Sequence, residues 1–390
     1  MVRTSRQLSI QTRRDAWVEI NLAAIEANVV AFRQFLPSSV SIMAILKADA
    51  YGHGAAMITP VLEASGVSMV GVAALDEALQ LRDAGITLPI LVIGAVPDWA
   101  VEVAAEKDIQ LTVFSQRHLE ILRNTHKRWK VHIKVDTGMH RIGVPHPEAV
   151  DFIEACYREP NLQVEGIFTH FACAEDPEKT RLQVSRFEAV LKALTDKGLP
   201  LPRYIHAANS AATELSSEVD SLYSMVRVGY GLFGYHKGYG DSHGLHLKPV
   251  LSLKARIMHL HHAAAGEGVS YGHHYQVTTD TLHIATLPLG YADGIPRVLS
   301  GRLTGLLHGK VIPQIGAITM DQVMFDVSNV PEASVGDTVT LLGEDNQHPE
   351  VGGITLNNWA ALSQDFPTPL IPYELMCGLR VRLPKTYTHH

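Results

Sequence analysis

The sequence is short of several things at once, and each shortage closes off a class of explanation. Only three cysteines occur, Cys156, Cys173 and Cys377, spaced too widely for a disulfide framework or a zinc site. There is no basic excess either: 33 Lys and Arg stand against 40 Asp and Glu, a formal net charge of −7. Nucleic acid and anionic membranes are therefore not expected as partners. No apolar run reaches the length of a membrane span, and the polar stretch Met1–Arg14 lacks the apolar core of a signal peptide. A cytoplasmic protein is the expectation. Internal repeats and low-complexity tracts are missing as well, and the terminal pair His389-His390 reads as residual tag.

What is present is 390 residues with a 46% hydrophobic share, enough for about two domains with ordinary cores. From residue 20 to about 235, short β-rich apolar runs alternate with amphipathic segments, as parallel βαβ units require. A helix capped by Asn21 comes first, from Leu22 through Phe35, with Pro37 beyond its end. Eight strands are predicted at Ser41–Leu46, Ser68–Ala73, Ile90–Ile93, Gln110–Val113, Val131–Val135, Val164–Phe168, Tyr204–His206 and Met225–Val228. Helical patterns separate them at Asp76–Ala84, Gln116–Thr125, Pro147–Tyr157 and Arg181–Lys197. Eight such units favour a (β/α)8 barrel over an open sheet.

After about Lys248 the texture changes to Val, Leu and Thr runs broken by Gly, Asp and Pro, with Ile354–Ser363 as the one convincing late helix. The fold expected is α/β: an N-terminal (β/α)8 barrel over 15–247 followed by a mainly-β domain over 248–386.

The first strand runs out as Ala44-Ile45-Leu46-Lys47-Ala48-Asp49-Ala50-Tyr51-Gly52-His53-Gly54. That puts a lysine at the C-terminal end of a barrel strand, the face where barrels keep their active sites. A desolvated lysine there suits Schiff-base chemistry; taken alone, the same position fits a lysine snorkelling from a strand end. The run from Lys47 to Gly54 closely resembles the cofactor-lysine motif of the alanine racemases. The resemblance extends from Trp17-Val18-Glu19-Ile20-Asn21 to Arg380-Val381-Arg382-Leu383-Pro384. It implies pyridoxal 5'-phosphate as cofactor, Lys47 as its anchor and a homodimer with shared active sites.

Further motifs carry further implied roles. In Lys134-Val135-Asp136-Thr137-Gly138-Met139-His140-Arg141, the resemblance assigns Arg141 to the substrate carboxylate, which a guanidinium can meet with two parallel hydrogen bonds. Lys134 matches a lysine that the family often carries as a carbamate; the residues alone leave an ordinary strand lysine equally open. His140 stands where the family usually has glycine. His170, in Phe168-Thr169-His170-Phe171-Ala172, resembles the histidine packed on the cofactor ring; Cys173 nearby reads as coincidence.

Asn209 and Ser210, in His206-Ala207-Ala208-Asn209-Ser210, resemble the phosphate-side segment, although the same residues would serve as a plain helix cap. Arg227-Val228-Gly229-Tyr230-Gly231 implies Arg227 at the pyridine nitrogen and Gly229 and Tyr230 near the phosphate, with Val228 replacing the usual proline. An arginine cannot readily act as an acid there, so the ring nitrogen would stay unprotonated. Tyr51 and Tyr373 are implied on the phosphate as well.

In the β domain, Gly268-Val269-Ser270-Tyr271-Gly272 resembles the second-base motif, so Tyr271 would face Lys47 across the α-carbon. Tyr291 is implied at the entrance and Met320 as an amide donor to the carboxylate. No metal is implied, and the group His259, His261, His262, His273 and His274 reads as neutral surface histidines. The activity so implied is interconversion of L- and D-alanine by two-base proton transfer at the α-carbon, supplying D-alanine for peptidoglycan. Three alternatives stay open: a serine or broader racemase, a barrel-fold decarboxylase, and a non-catalytic carrier of the cofactor. The decarboxylase's acidic and cysteine motifs are not apparent, and a carrier would need no second domain.

Overall fold

The computed structural model describes residues 14–125, 127–215, 223–235, 244–345, 347–379 and 382–389. Arg380, Val381, His390 and the stretch up to Arg13 lie outside the described residues. The described chain divides into two compact units, one of Ala24–Ala50 with Gly54–Lys248, the other of the remainder, including Tyr51–His53.

The first unit is a nearly closed eight-stranded parallel barrel. Its strands, in chain order, are Ser41–Ile45, Met69–Val72, Ile90–Val92, Ile109–Val113, Trp129–Asp136, Leu162–Phe168, Tyr204–His206 and Met225–Val228, and the last pairs with the first. Between the seventh and eighth strands the ladder is replaced by single bonds, Ser224 N–H to Ile205 O at 3.0 Å and Arg227 N–H to Ala208 O at 2.9 Å. Several of these strands are buried along their whole length, which is why they read as continuous apolar runs rather than alternating ones. Each fully buried Ile, Leu or Met contributes roughly 1.5–3 kcal/mol.

Helices cover the connections and start where the sequence offers oxygen caps. Ser115 accepts from His118 N–H ahead of Gln116–Arg123, and Asp176 accepts from the amides of Glu178 and Lys179 ahead of Pro177–Asp196. All eight predicted barrel strands are present.

The second unit is mainly β. Its strand path runs His259–Ala264, Thr281–Leu287, Val323–Asp326, Lys310–Ile315, Thr304–Leu307, Thr338–Glu344, Leu251–Arg256, Ala16–Asn21, Lys385–Thr388. Two expectations are corrected here. Among the described residues the helix does not come first: Ala16–Asn21, ahead of it, is a strand of strict alternating burial, antiparallel to Leu251–Arg256 and parallel to Lys385–Thr388. The signal was there, Ala16, Val18 and Ile20 buried in turn, but without a visible partner six residues did not compete with the adjoining helix. Nor is there a single late helix. Besides Leu356–Ala361, Pro372–Gly378 is helical, started by proline at its first position and too short to display a period. Among the described residues no helix is long and apolar enough to cross a membrane.

Candidate active site

Lys47 leaves the first barrel strand two residues after Ile45, and the chain then turns in the disfavoured hand. Ala48, Asp49, Ala50 and Tyr51 have φ of 55°, 56°, 56° and 54°, a full left-handed turn made without glycine. Each such residue costs about 1–2 kcal/mol, so the turn persists only because other groups hold it. Ala50 N–H donates to Leu46 O at 2.8 Å and Ala55 N–H to Asp49 Oδ1 at 2.8 Å. Glu77, at the start of the helix Leu75–Asp83, completes the hold. Its Oε1 takes the Ala48 amide, while its Oε2 takes the amides of Ala73 and Ala74 at 2.8 and 3.2 Å. Glu77 was not singled out from the sequence; a glutamate at the third position of a helix is too ordinary a signal.

Arg227 is the electrostatic centre of the barrel rim. It is 4% exposed, and its Nη2 donates to Thr169 O at 2.8 Å, Ala207 O at 2.9 Å and His170 Nδ1 at 3.1 Å. Its Nη1 meets His206 Nδ1 at 3.0 Å. Burial, and then Arg141, push the guanidinium down to about 9, so it stays charged at neutral pH. His170 is pushed down to about 3, first by burial and then by the positive charges of Arg227, Arg141, Lys134 and Lys47. That one imidazole feels all four cations is the measure of how far the barrel gathers the residues picked out from separate strands. Because Arg227 can only donate, neutral His170 carries its proton on Nε2.

Lys134 is 4% exposed, stands 5.5 Å from the centre of the Phe168 ring and is pushed down to about 8 by burial and by Arg141 and Arg227. Arg141 itself is exposed, on a loop organised by Asp136, whose Oδ1 accepts the amides of Gly138, Met139 and His140 at 2.9–3.1 Å. His140 sits at φ 51°, the left-handed conformation glycine would adopt freely. Asn209 and Ser210 meet at the start of the helix Ser210–Leu215. Asn209 Oδ1 accepts Ala212 N–H at 2.9 Å, and Ser210 Oγ accepts the amides of Gly229 and Gly231 at 3.1 and 3.3 Å. Tyr230 is buried against Tyr235, ring centres 5.3 Å apart.

The other unit carries the remaining residues. Tyr51 and Tyr373 approach with ring centres 6.1 Å apart. Tyr271 follows Ser270, φ 64°, precedes Gly272, φ 74°, and lines a cleft of about 720 Å³ with His261, His262, Glu267 and Thr319. Tyr291 and Met320 are brought together by Tyr291 N–H to Thr319 O at 2.9 Å and Ala292 N–H to Met320 O at 3.1 Å. Gly290 is indispensable to that approach, since a Cβ there would stand 2.2 Å from Thr319 O. Asp293, 1% exposed, anchors the same loop: it pairs with Arg14 at 2.5 Å and Arg382 at 3.1 Å and accepts Gly290 N–H at 2.9 Å. Arg14 and Arg382 lie too far apart in sequence for this trio to be read from spacing. Among the described residues no group of His, Cys, Asp or Glu is arranged to hold a metal.

Comparison with known proteins covers nearly the whole chain. A family model described as alanine racemase, N-terminal domain, matches residues 20–237, and one described as alanine racemase, C-terminal domain, matches 250–387. The chain belongs to the alanine racemase family. The alanine racemase of Synechocystis sp. is 40% identical, with 96% of this chain and 99% of that protein covered. Alanine racemase 1 of Oceanobacillus iheyensis is also 40% identical over 97% of this chain and all of its own length. In structure, the alanine racemase of Bacillus anthracis with bound L-Ala-P superposes with a TM-score of 0.87 at 35% identity, covering 97% and 96% of the two chains.

Proposed function

We infer that the protein is a pyridoxal-phosphate-dependent isomerase that interconverts L- and D-alanine, a cytoplasmic source of D-alanine for peptidoglycan. The observation that carries this reading is the charged, buried guanidinium of Arg227 beside neutral His170, in electrostatic reach of Lys47, within a family whose named members are alanine racemases.

A phosphorylated pyridine aldehyde requires a primary amine, a donor for its ring nitrogen and short polar donors for its phosphate. The donor set fits: the Lys47 amine, the Arg227 guanidinium, and the Ser210 hydroxyl among the amides of Gly229 and Gly231. Tyr51, Tyr373, Asn209 and Tyr230 would complete the phosphate side and His170 would pack on the ring. Bound there, the cofactor supplies an electron sink for the bond between the α-carbon and its hydrogen.

The chain's own residues do the rest. Arg227 remains protonated, so it would donate to the ring nitrogen of the cofactor without surrendering a proton, which would keep the sink weak and disfavour side reactions. Arg141 and the Met320 amide bind the substrate carboxylate, and Lys134, as a carbamate, would supply an anion to orient Arg141. Tyr291 lines the entrance. Tyr271 removes the α-proton of L-alanine and Lys47 returns one to the opposite face; the two exchange roles for D-alanine. Tyr271, 76% exposed, Met320, 51%, and Tyr291, 42%, are all available to a second copy of the chain, which supports a homodimer with shared sites.

A D-amino-acid-specific assay on purified protein, with L-alanine and L-serine in parallel, should give product from alanine. Lys47→Ala should lose both that activity and the borohydride-reducible attachment of cofactor. An intact reducible attachment in the variant would point to another lysine and overturn the assignment.

A further inference from the structure

Behind Arg227, away from His170, the hydrogen bonding continues into the barrel interior. His206 Nε2 lies 2.8 Å from His132 Nδ1, and His132 Nε2 lies 3.0 Å from Gln110 Oε1. His132 and His206 are 0% exposed and Gln110 6%. We propose that Gln110 and His132 are positioning residues for Arg227, ending a one-way hydrogen-bond chain that runs from Arg227 through His206 and His132 to Gln110.

The direction is set by donor chemistry alone. A guanidinium has no acceptor, so His206 Nδ1 must accept from Arg227. His206 then carries its proton on Nε2 and donates it to His132 Nδ1. His132 in turn is protonated on Nε2 and needs an acceptor, and the Oε1 of Gln110 supplies one. Reversing any link would turn two N–H groups against each other, at every position back to the arginine. Neither ring can become an imidazolium without breaking a contact. Burial and the charge of Arg227 agree, holding His132 down to about 3 and His206 well below its ordinary value. The two rings are therefore struts rather than proton carriers.

The strands are shaped to admit this chain. His132 on the fifth barrel strand is in register with Gly166 on the sixth, just past an irregularity between Val131 and His132. A Cβ on Gly166 would stand 2.3 Å from His132 Nδ1, so only glycine leaves room for the ring. Phe168 stacks on His206 with ring centres 4.7 Å apart and planes at 5°, fixing the orientation in which Nδ1 faces Arg227.

This inference rests on the reading of Arg227 as the donor to the cofactor ring, yet its central claim can be tested without cofactor. In apo-protein labelled with 15N-histidine, imidazole nitrogen shifts should show His132 and His206 neutral and protonated on Nε2. A proton on Nδ1 of either ring, or an imidazolium, overturns the chain. Gln110→Met removes the last acceptor at similar volume and leaves the His132 Nε2–H without a partner; the His132 ring nitrogen shifts should then move while His206 stays protonated on Nε2, and kcat for alanine should fall about tenfold, with KM little changed. In a His132→Phe background, Gln110→Met should have no further effect, whereas independent structural damage would add. An unchanged kcat in Gln110→Met, or additive effects, overturns the positioning role. Absence of racemisation by the unmodified protein would instead defeat the functional reading and leave the tautomer result standing.

Discussion

Arg227 and Tyr271, both given roles in the proposed reaction, are held in opposite ways. The guanidinium is buried, distributes two of its nitrogens over two histidines and two carbonyls, and is locked by partners from neighbouring strands. The phenol stands in solvent, and what is specified around it is the backbone: Ser270 and Gly272 at positive φ, and Ser270 Oγ bonded to Ala317 O at 2.8 Å. A barrel rim can be preorganised from within its own chain. An exposed tyrosine on a shaped loop becomes selective only when another surface encloses it, which fits a site completed by a partner subunit.

The largest effect should come from breaking the exposed side of that contrast. Tyr271→Phe is expected to lower alanine racemisation by about 10²–10⁴, the usual worth of a positioned acid or base. Mixing inactive Lys47→Ala and Tyr271→Ala proteins, with subunit exchange verified by tags, should restore activity toward about a quarter of wild type, because half the dimers would hold one intact site. Full exchange without recovery would mean that both bases belong to one chain.

The buried side should betray itself in acid. His132 and His170 are held at about 3 in the folded protein, below the ordinary 6.5, so the unfolded chain binds more protons between those values. Stability is thus fully present above pH 6.5 and is lost as pH falls toward 3, by up to about 1.4 kcal/mol per pH unit for each ring. Urea midpoints from pH 7 to 4 should fall accordingly; a flat profile would contradict neutral, buried imidazoles.

A smaller effect is expected at the turn after Lys47. The amides of Ala48, Ala73 and Ala74 donate to the two oxygens of the Glu77 carboxylate, and a glutamine presents only one oxygen. Glu77→Gln should speed hydrogen exchange at Ala48 and lower kcat about tenfold, equivalent to one lost charge-assisted bond. Exchange as slow as in the parent protein would show that the turn stands without it.

The barrel was legible because its strands are buried on both sides and separated by helical periods, so each announces itself locally. Lys47, Arg141 and Arg227 stand out in the sequence because their flanking motifs are distinctive, and the fold brings all three within electrostatic reach of His170. What the sequence hid is whatever depends on a distant partner: Ala16–Asn21 becomes a strand only beside Leu251–Arg256, and Asp293 becomes an anchor only when Arg14 and Arg382 reach it. Glu77, His132 and Gln110 escaped for the same reason, since nothing in their own neighbourhoods distinguishes them from helix or strand residues.

The strand Ala16–Asn21 also constrains how the molecule is made. It is synthesised before the barrel, yet its two sheet neighbours, Leu251–Arg256 and Lys385–Thr388, are made after it. The barrel segment can collapse on the ribosome as its successive βα units emerge, whereas Ala16–Asn21 must wait, unpaired, until both of its neighbours have been made. A fusion partner or truncation placed at Lys385–Thr388 would therefore disturb Ala16–Asn21 as directly as Lys385–Thr388 itself, and nascent chains stalled before that point would present an open sheet edge to chaperones.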